Sequence, residues 1–197
     1  MKKVIAGFLF LLLLGTAVLH YLHLDALLWH AWRLNGEAHQ HGGLLLNDYR
    51  VDVEARAIEG LRDDVSALTY NNETNTLFAV LNGEPLLVEL SLEGALLRKL
   101  RIDGVQDMEG LTHVSGNRYV VAEERSQRLL VIDVPPQAER IDVSNVPSLV
   151  IGLDLNGNKG FEGLSWDDKD KRLLVVKERD PLRVLSVTGF VDALAGG

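Results

Sequence analysis

Two kinds of hydrophobic patterning divide the chain. From Val4 to Leu24 no charged residue occurs, and the run VIAGFLFLLLLGTAVL (4–19) shows no polar face. A run that is apolar all round does not suit the surface of a soluble core. Its length matches the ~20 residues that cross a bilayer as a helix. Lys2 and Lys3 precede it, which predicts that the start stays cytoplasmic and the rest faces outward. No small-x-small site follows the run, so an uncleaved signal anchor is expected rather than a removed signal peptide. Trp29 and Trp32 then suit a membrane interface, and NGEAHQHGG (35–43) reads as a linker.

From about Leu45 the pattern changes to short β-prone runs separated by turn residues. LTY (68–70), TLFAVL (76–81), LLVELS (86–91) and ALLRKLRI (95–102) predict four strands of a meander. The order then returns as MEGLTHV, RYVVAEE and RLLVIDV, and again as FEGLSWD, RLLVVKE and LRVLSV. Superposed, Ser66, Glu109 and Glu162 coincide, as do Leu68, Leu111 and Leu164, and Thr69, Thr112 and Ser165, at offsets of 43 and 53 residues. Asn82, Glu124 and Glu178 coincide at the end of the second strand, followed by Gly83, Arg125 and Arg179. A repeat of roughly 40–50 residues with about four strands per unit is the signature of a β-propeller blade. The fold class expected is therefore all-β, an incomplete propeller of about three four-stranded blades behind one N-terminal transmembrane helix. Residues 1–34 form the anchor and interfacial segment, 35–46 the linker and 47–197 the partial propeller. Propellers close with at least about four blades, so the chain reads as C-terminally truncated, with a blade face and a strand edge exposed to association.

The net charge of −8 argues against nucleic acid, whose phosphates require clustered Lys and Arg. There is no cysteine, which removes thiolate chemistry and Cys-based metal sites. Glu109 and Glu162 each open the first strand of a blade, the strand that lines a propeller's channel. Two carboxylates near one axis repel unless a cation or a proton lies between them. Calcium suits such a site because it takes about six to eight oxygen ligands in loose geometry. Gly110 and Gly163 would let backbone approach the ion. The structural alternative is that each glutamate caps a neighbouring blade or pairs with Arg125 or Arg179. Asn82, Glu124, Arg125, Glu178 and Arg179 form a candidate ligand-binding ring at one face; interblade ion pairs are the alternative for them.

Other motifs carry less. Asp154–Asn158 starts like an EF-hand, but Lys159 and Ser165 stand where Gly and Glu are required. His39 and His41, near Glu37, lack fixed further ligands, and His113 has no evident acid–base partner. Ser165 lies inside a strand and lacks a nucleophile elbow.

The stretches 68–94 (LTYNNETNTLFAVLN-x-x-P-x-LVELSLEG), D-x-EG-L at 107–111, RYVVAEERSQRL (118–129), NKGFEGLSWD (158–167) and RLLVVKERDP (172–181) together resemble the SdiA-regulated, YjiK-like family of bacterial membrane-anchored propellers. The likeness covers nearly the whole chain. It implies an exported propeller, five-bladed and distantly related to NHL repeats, with bound calcium and no established catalysis. The early end of this chain departs from that pattern. The function expected is a single-pass inner-membrane protein with a periplasmic propeller that binds calcium and a protein or envelope ligand. The alternative is a calcium-dependent phosphoesterase or lactonase using channel carboxylates, for which a general base beyond Glu109, Glu162 and Asp107 is missing from the repeat.

Overall fold

A computed structural model describes residues 2–22, 24–25, 28–29, 32, 49–53, 56–151, 160–178 and 182–191. The chain divides into two compact units, Met1–Glu54 and Ala55–Gly197. In the first, helix α1 spans Lys2–Tyr21. Its 20 residues extend to about 30 Å at a rise of ~1.5 Å each. Lys3–Tyr21 has a mean hydropathy of 2.2, and its apolar side chains are exposed all round. These properties are shared by a membrane span and a signal sequence.

The second unit is built from antiparallel meanders. Blade 1 comprises β1 (Val65–Asn71), β2 (Thr76–Leu81), β3 (Leu86–Leu90) and β4 (Leu96–Asp103) in that order. Blade 2 comprises β5 (Met108–Ser115), β6 (Arg118–Glu123) and β7 (Arg128–Asp133). Two short strands follow: β8 (Arg140–Asp142) adds in parallel to β4, and β9 (Ser148–Val150) completes blade 2 against β7. Blade 3 comprises β10 (Phe161–Asp167), β11 (Arg172–Lys177) and β12 (Arg183–Thr188). The ten strands expected from the pattern are all present. The additions are β8 and β9, three residues each and too short to alternate visibly.

The first strands lie side by side, β1 against β5 and β5 against β10, so the three sheets stack in sequence like successive blades. Strand alternation supplies each sheet with two apolar faces. In β2, Phe78 and Val80 join Leu87, Leu100, Ile102, Tyr119 and Val121 between blades 1 and 2. Ala79 and Leu81 point the other way, to Ile58 and Leu61. Val120, Ala122 and Leu129 of blade 2 meet Phe161, Leu173 and Val175 of blade 3. The fold is thus an incomplete propeller, with no closed ring among the described residues. Tyr119 anchors the first joint: Phe78 lies 4.8 Å from its ring, and its hydroxyl accepts from Asn71 Nδ2 at 2.6 Å. Burial in this apolar joint pushes its phenol up to about 12.

Within the strands of the second joint, Gly110 is closely packed. A Cβ there would lie 2.9 Å from Ala122 Cβ and 3.0 Å from Leu164 Cβ, whereas one at Gly163 would meet Val176 at an ordinary 3.4 Å. Gly110→Ala is therefore expected to destabilise by about 1–3 kcal/mol through overpacking, and Gly163→Ala to remain within about 0.5 kcal/mol. Denaturant melts of the two variants compare them directly; equal losses would show that Gly110 is not a packing constraint.

Candidate metal centre

The aligned residues Ser66, Glu109 and Glu162 share one backbone device. In each blade the register between first and second strand slips there: Val65 and Ala67 face Leu81 and Val80, Met108 and Gly110 face Glu123 and Ala122, and Phe161 and Gly163 face Lys177 and Val176. Each aligned residue is the extra residue of a β-bulge, and a bulge re-aims its side chain. A second device repeats beside it. Asn82, Glu124 and Glu178 donate their backbone N–H groups to Asp64, Asp107 and Gly160 carbonyls at 3.0, 3.0 and 3.3 Å. The alignment read from sequence is therefore a structural equivalence at both positions.

These devices gather carboxylates. Oxygens of Asp107, Glu109 and Glu124 lie within 4.8 Å of one another. Glu162 and Glu178 sit close enough to act on the same groups electrostatically. Asn82 Nδ2 hydrogen-bonds Glu109 Oε1 across the blade boundary, and Ser66 also bonds Glu109. Arg125 Nε donates to Asp107 Oδ2 at 2.7 Å, so the expected arginine pairs with Asp107 rather than with a glutamate. Glu124 Oε1 accepts the N–H of Gly160 from the next blade at 3.2 Å, which fulfils part of the structural alternative. Lys177, fully buried, precedes Glu178 in the chain.

Crowding shows in the ionisation of these groups. Partial desolvation raises the Glu109 carboxyl above its ordinary value, and the charges of Asp107 and Glu124 raise it further, against the Ser66 hydrogen bond. Burial raises Glu124 and the Gly160 N–H opposes it; the charges of Asp107 and Glu178 and a hydrogen bond with Asp107 add to the rise. Glu162 is raised first by desolvation, then by Glu109, Glu124 and Glu178, with which it shares a hydrogen bond. Two carboxyls in hydrogen-bond contact hold a proton between them, or a cation in its place.

Of the residues predicted from sequence, Asn82, Glu109, Glu124, Arg125, Glu162 and Glu178 come to this end of the blades, while Arg179 lies outside the described residues. Asp107 was expected only as a base; the D-x-E spacing with Glu109 was the available signal. Its backbone takes φ +56°, a left-handed conformation that Asp tolerates better than most residues. A Cβ on Gly110 would meet Ala122 and Leu164 and one on Gly163 would meet Val176, so both glycines take part in packing between strands. The glycine that does touch the cluster is Gly160, where a Cβ would lie 2.1 Å from the Glu124 carbonyl oxygen. His113 is engaged elsewhere: its Nε2 meets Gly116 O at 2.9 Å and its ring lies 5.0 Å from that of Tyr119. His39, His41 and the Asp154–Lys159 turn lie outside the described residues. A cleft of about 540 Å³ adjoins the cluster, lined in part by Asn82, Arg101, Gln106, Asp107 and Arg125.

A family model described as SdiA-regulated matches residues 42–196. Among solved structures, the chain is similar to the Cps50 (Swd1) β-propeller domain of Myceliophteria thermophila, at 13% identity and TM-score 0.42, over 66% of this chain and 38% of that one. It is similar to Hsv2 of Kluyvelomyces marxianus at 14% identity and TM-score 0.41, over 58% and 37%. The Pan2 WD40 domain of Neurospora crassa gives 13% identity and TM-score 0.42, over 64% and 33%. The chain thus spans little more than a third of the length of these proteins.

Raised carboxyls fix the sign of a pH effect. The folded metal-free state holds protons above the ordinary value of 4.5 that the unfolded state has released. The cluster's contribution to stability is full below that value and is lost as pH rises through the raised folded values. Glu124→Gln keeps an acceptor for Gly160 and removes a charge. In chelator its melting temperature is expected to exceed the wild type at pH 7, by about 4 °C per kcal/mol of relieved repulsion, and to converge with it near pH 4. A lower melting temperature at pH 7 would show that the Glu124 charge is already neutralised by protein groups.

Proposed function

The chain belongs to the SdiA-regulated family, and from that membership and the carboxylate cluster we propose a membrane-tethered propeller protein that binds a calcium ion and presents a polar recognition face. The observation that carries the reading is the convergence of Asp107, Glu109 and Glu124 oxygens within 4.8 Å. Two oxygens bound to one calcium ion at about 2.3–2.6 Å each lie no more than about 5 Å apart, so the spacing fits. The donor set fits as well, being hard oxygen throughout. Glu109 and Glu162 supply charge from two bulges, and Glu124 supplies it from the end of β6. Asn82 orients Glu109. Arg125 holds Asp107, and Glu178 acts on Glu162.

Arg125, Arg101, Gln106 and Asn82 line the adjoining cleft and offer donors to a polar ligand, and Glu124 and Glu178 are proposed for the same face. Arg179 follows Glu178 in sequence and is proposed for the same face. The ligand class favoured is a protein segment or envelope component. Binding is favoured over hydrolysis because, among the described residues, His113 is occupied at the far end of β5 and the cluster holds carboxylates as bases. The reading takes helix α1, long and apolar enough to span a bilayer, as an uncleaved inner-membrane anchor, with Lys2 and Lys3 cytoplasmic and the propeller in the periplasm.

Calcium at about a hundredfold excess over its dissociation constant is expected to stabilise the full chain in detergent by ~2.7 kcal/mol. Glu109→Gln and Glu162→Gln are each expected to weaken calcium binding at least about tenfold, the effect of ~1.4 kcal/mol. Calcium titrations followed by calorimetry measure both, and unchanged affinity in the two variants would sink the site. Topology is tested separately. The chain has no cysteine. A single cysteine at the exposed Glu73 is therefore expected to react with a membrane-impermeant maleimide in spheroplasts, and protection until lysis would reverse the orientation.

A further inference from the structure

The arginines near the boundary of blades 1 and 2 are of two kinds. Arg98 and Arg128 are spent on the fold. Arg98 meets Glu89 Oε2 through Nε and Nη2 at 3.1 and 3.0 Å, and its Nη1 donates to the carbonyls of Pro135, Pro136 and Ala138 at 2.9, 2.8 and 3.3 Å. Arg128 donates through Nε to Glu123 Oε2 at 2.9 Å and through Nη2 to Gly104 O at 2.8 Å. These side chains are 19% and 24% exposed.

Arg101 and Arg125 differ. Each donates through Nε alone, Arg101 to Asp103 Oδ1 at 3.1 Å and Arg125 to Asp107 Oδ2 at 2.7 Å. Their Nη groups enter no hydrogen bond among the described residues, and the side chains are 56% and 74% exposed. A single surface arginine in this state is ordinary. Here two of them, one from β4 of blade 1 and one from the turn between β6 and β7 of blade 2, line the same cleft of about 540 Å³. That volume lies within the ~300–1,000 Å³ of small-molecule sites. The carboxylates that hold them flank one short connection, Asp103 closing β4 and Asp107 preceding β5. The cleft lies between two blades of the described array, next to the acidic cluster.

We propose that this cleft binds a phosphate group between Arg101 and Arg125. The proposal rests on the polar recognition face inferred above and names the chemistry of its ligand. A guanidinium tethered at Nε with its Nη pair unspent keeps a donor fork for an oxyanion. A carboxylate lies in one plane and is satisfied by one fork. A tetrahedral phosphate turns oxygens in several directions and can accept from two forks that arrive from different blades. A phosphate monoester carries about −1.5 to −2 charges at pH 7, which answers two guanidiniums. Asp103 and Asp107 also line the cleft and oppose an anion, but each is already engaged, Asp103 by Arg140 as well as Arg101. A cation in the neighbouring cluster would offset them further.

The probe is glycerol phosphate, titrated by calorimetry into the full chain in detergent, once with calcium and once with chelator, with glycerol as the blank. Saturable binding of the ester but not of glycerol is expected, tighter in calcium. Arg101→Gln and Arg125→Gln are each expected to weaken it about tenfold or more in both conditions. Both side chains are exposed, so these variants should keep the wild-type melt. Arg172→Gln, which loses an ion pair with Asp167 at the hairpin of β10 and β11, is the control and should bind as wild type. Micelles doped with phosphatidic acid separate the sources. If they displace glycerol phosphate, the ligand is a lipid headgroup; if they do not, it is a free phosphate ester. No saturable binding, unchanged affinity in both cleft variants, or an equal loss in Arg172→Gln would overturn the proposal. Equal affinity in calcium and chelator, with both cleft variants still weakened, would count against the metal reading and leave the phosphate site standing.

Discussion

Every blade of this protein is a sheet with two apolar faces, and neither face can be left in water without cost. β2 shows the constraint in four consecutive residues. Phe78 and Val80 point to blade 2, Ala79 and Leu81 point to the other side, and all four are buried. At about 1.5–3 kcal/mol for each large side chain removed from water, the joints between blades outweigh any single hydrogen bond in the unit. A blade is therefore stable only as a member of a series. The Thr69 and Thr112 hydroxyl bonds fix the register of that series.

The acidic cluster follows from the same stacking. Packing the first strands side by side brings the β-bulges to one end, and each bulge turns its extra residue away from the ladder. In blade 1 the extra residue is Ser66, which is neutral; in blades 2 and 3 it is a glutamate. Neighbouring blades then deliver Asn82, Asp107, Glu124 and Glu178 to the same place. Five carboxylates meet there, and Arg125 is engaged by Asp107. The remaining negative charge can be held by protons, which the raised carboxyls of Glu109, Glu124 and Glu162 favour, or by a divalent cation.

Much of this was legible in the chain before any coordinates. The ten longer strands follow from alternation and turn residues, because a half-buried strand writes its period into the sequence. The equivalence of Ser66, Glu109 and Glu162 was visible because the repeat carries Leu and Thr or Ser at fixed offsets beside it. The short strands β8 and β9 were not visible, since three residues hold no period. The packing of the glycines was not legible for a related reason. Gly110 and Gly163 sit next to the glutamates in sequence, yet they face neighbouring strands. Gly160 is distant from Glu124 in the chain and meets it in space.

The sequence by itself determined the apolar N-terminal helix, the blade repeat and the residue types able to bind a cation, because each depends on local pattern. Tertiary structure decided which carboxylates meet. Asp107, Glu109 and Glu124 converge only because strand pairing returns the end of β6 to the start of β5. It also decided that Arg125 serves Asp107, and that Gly160 admits the Glu124 backbone. Such contacts join residues separated by whole strands. Their distances are set by pairing register and interblade packing, which no local pattern encodes.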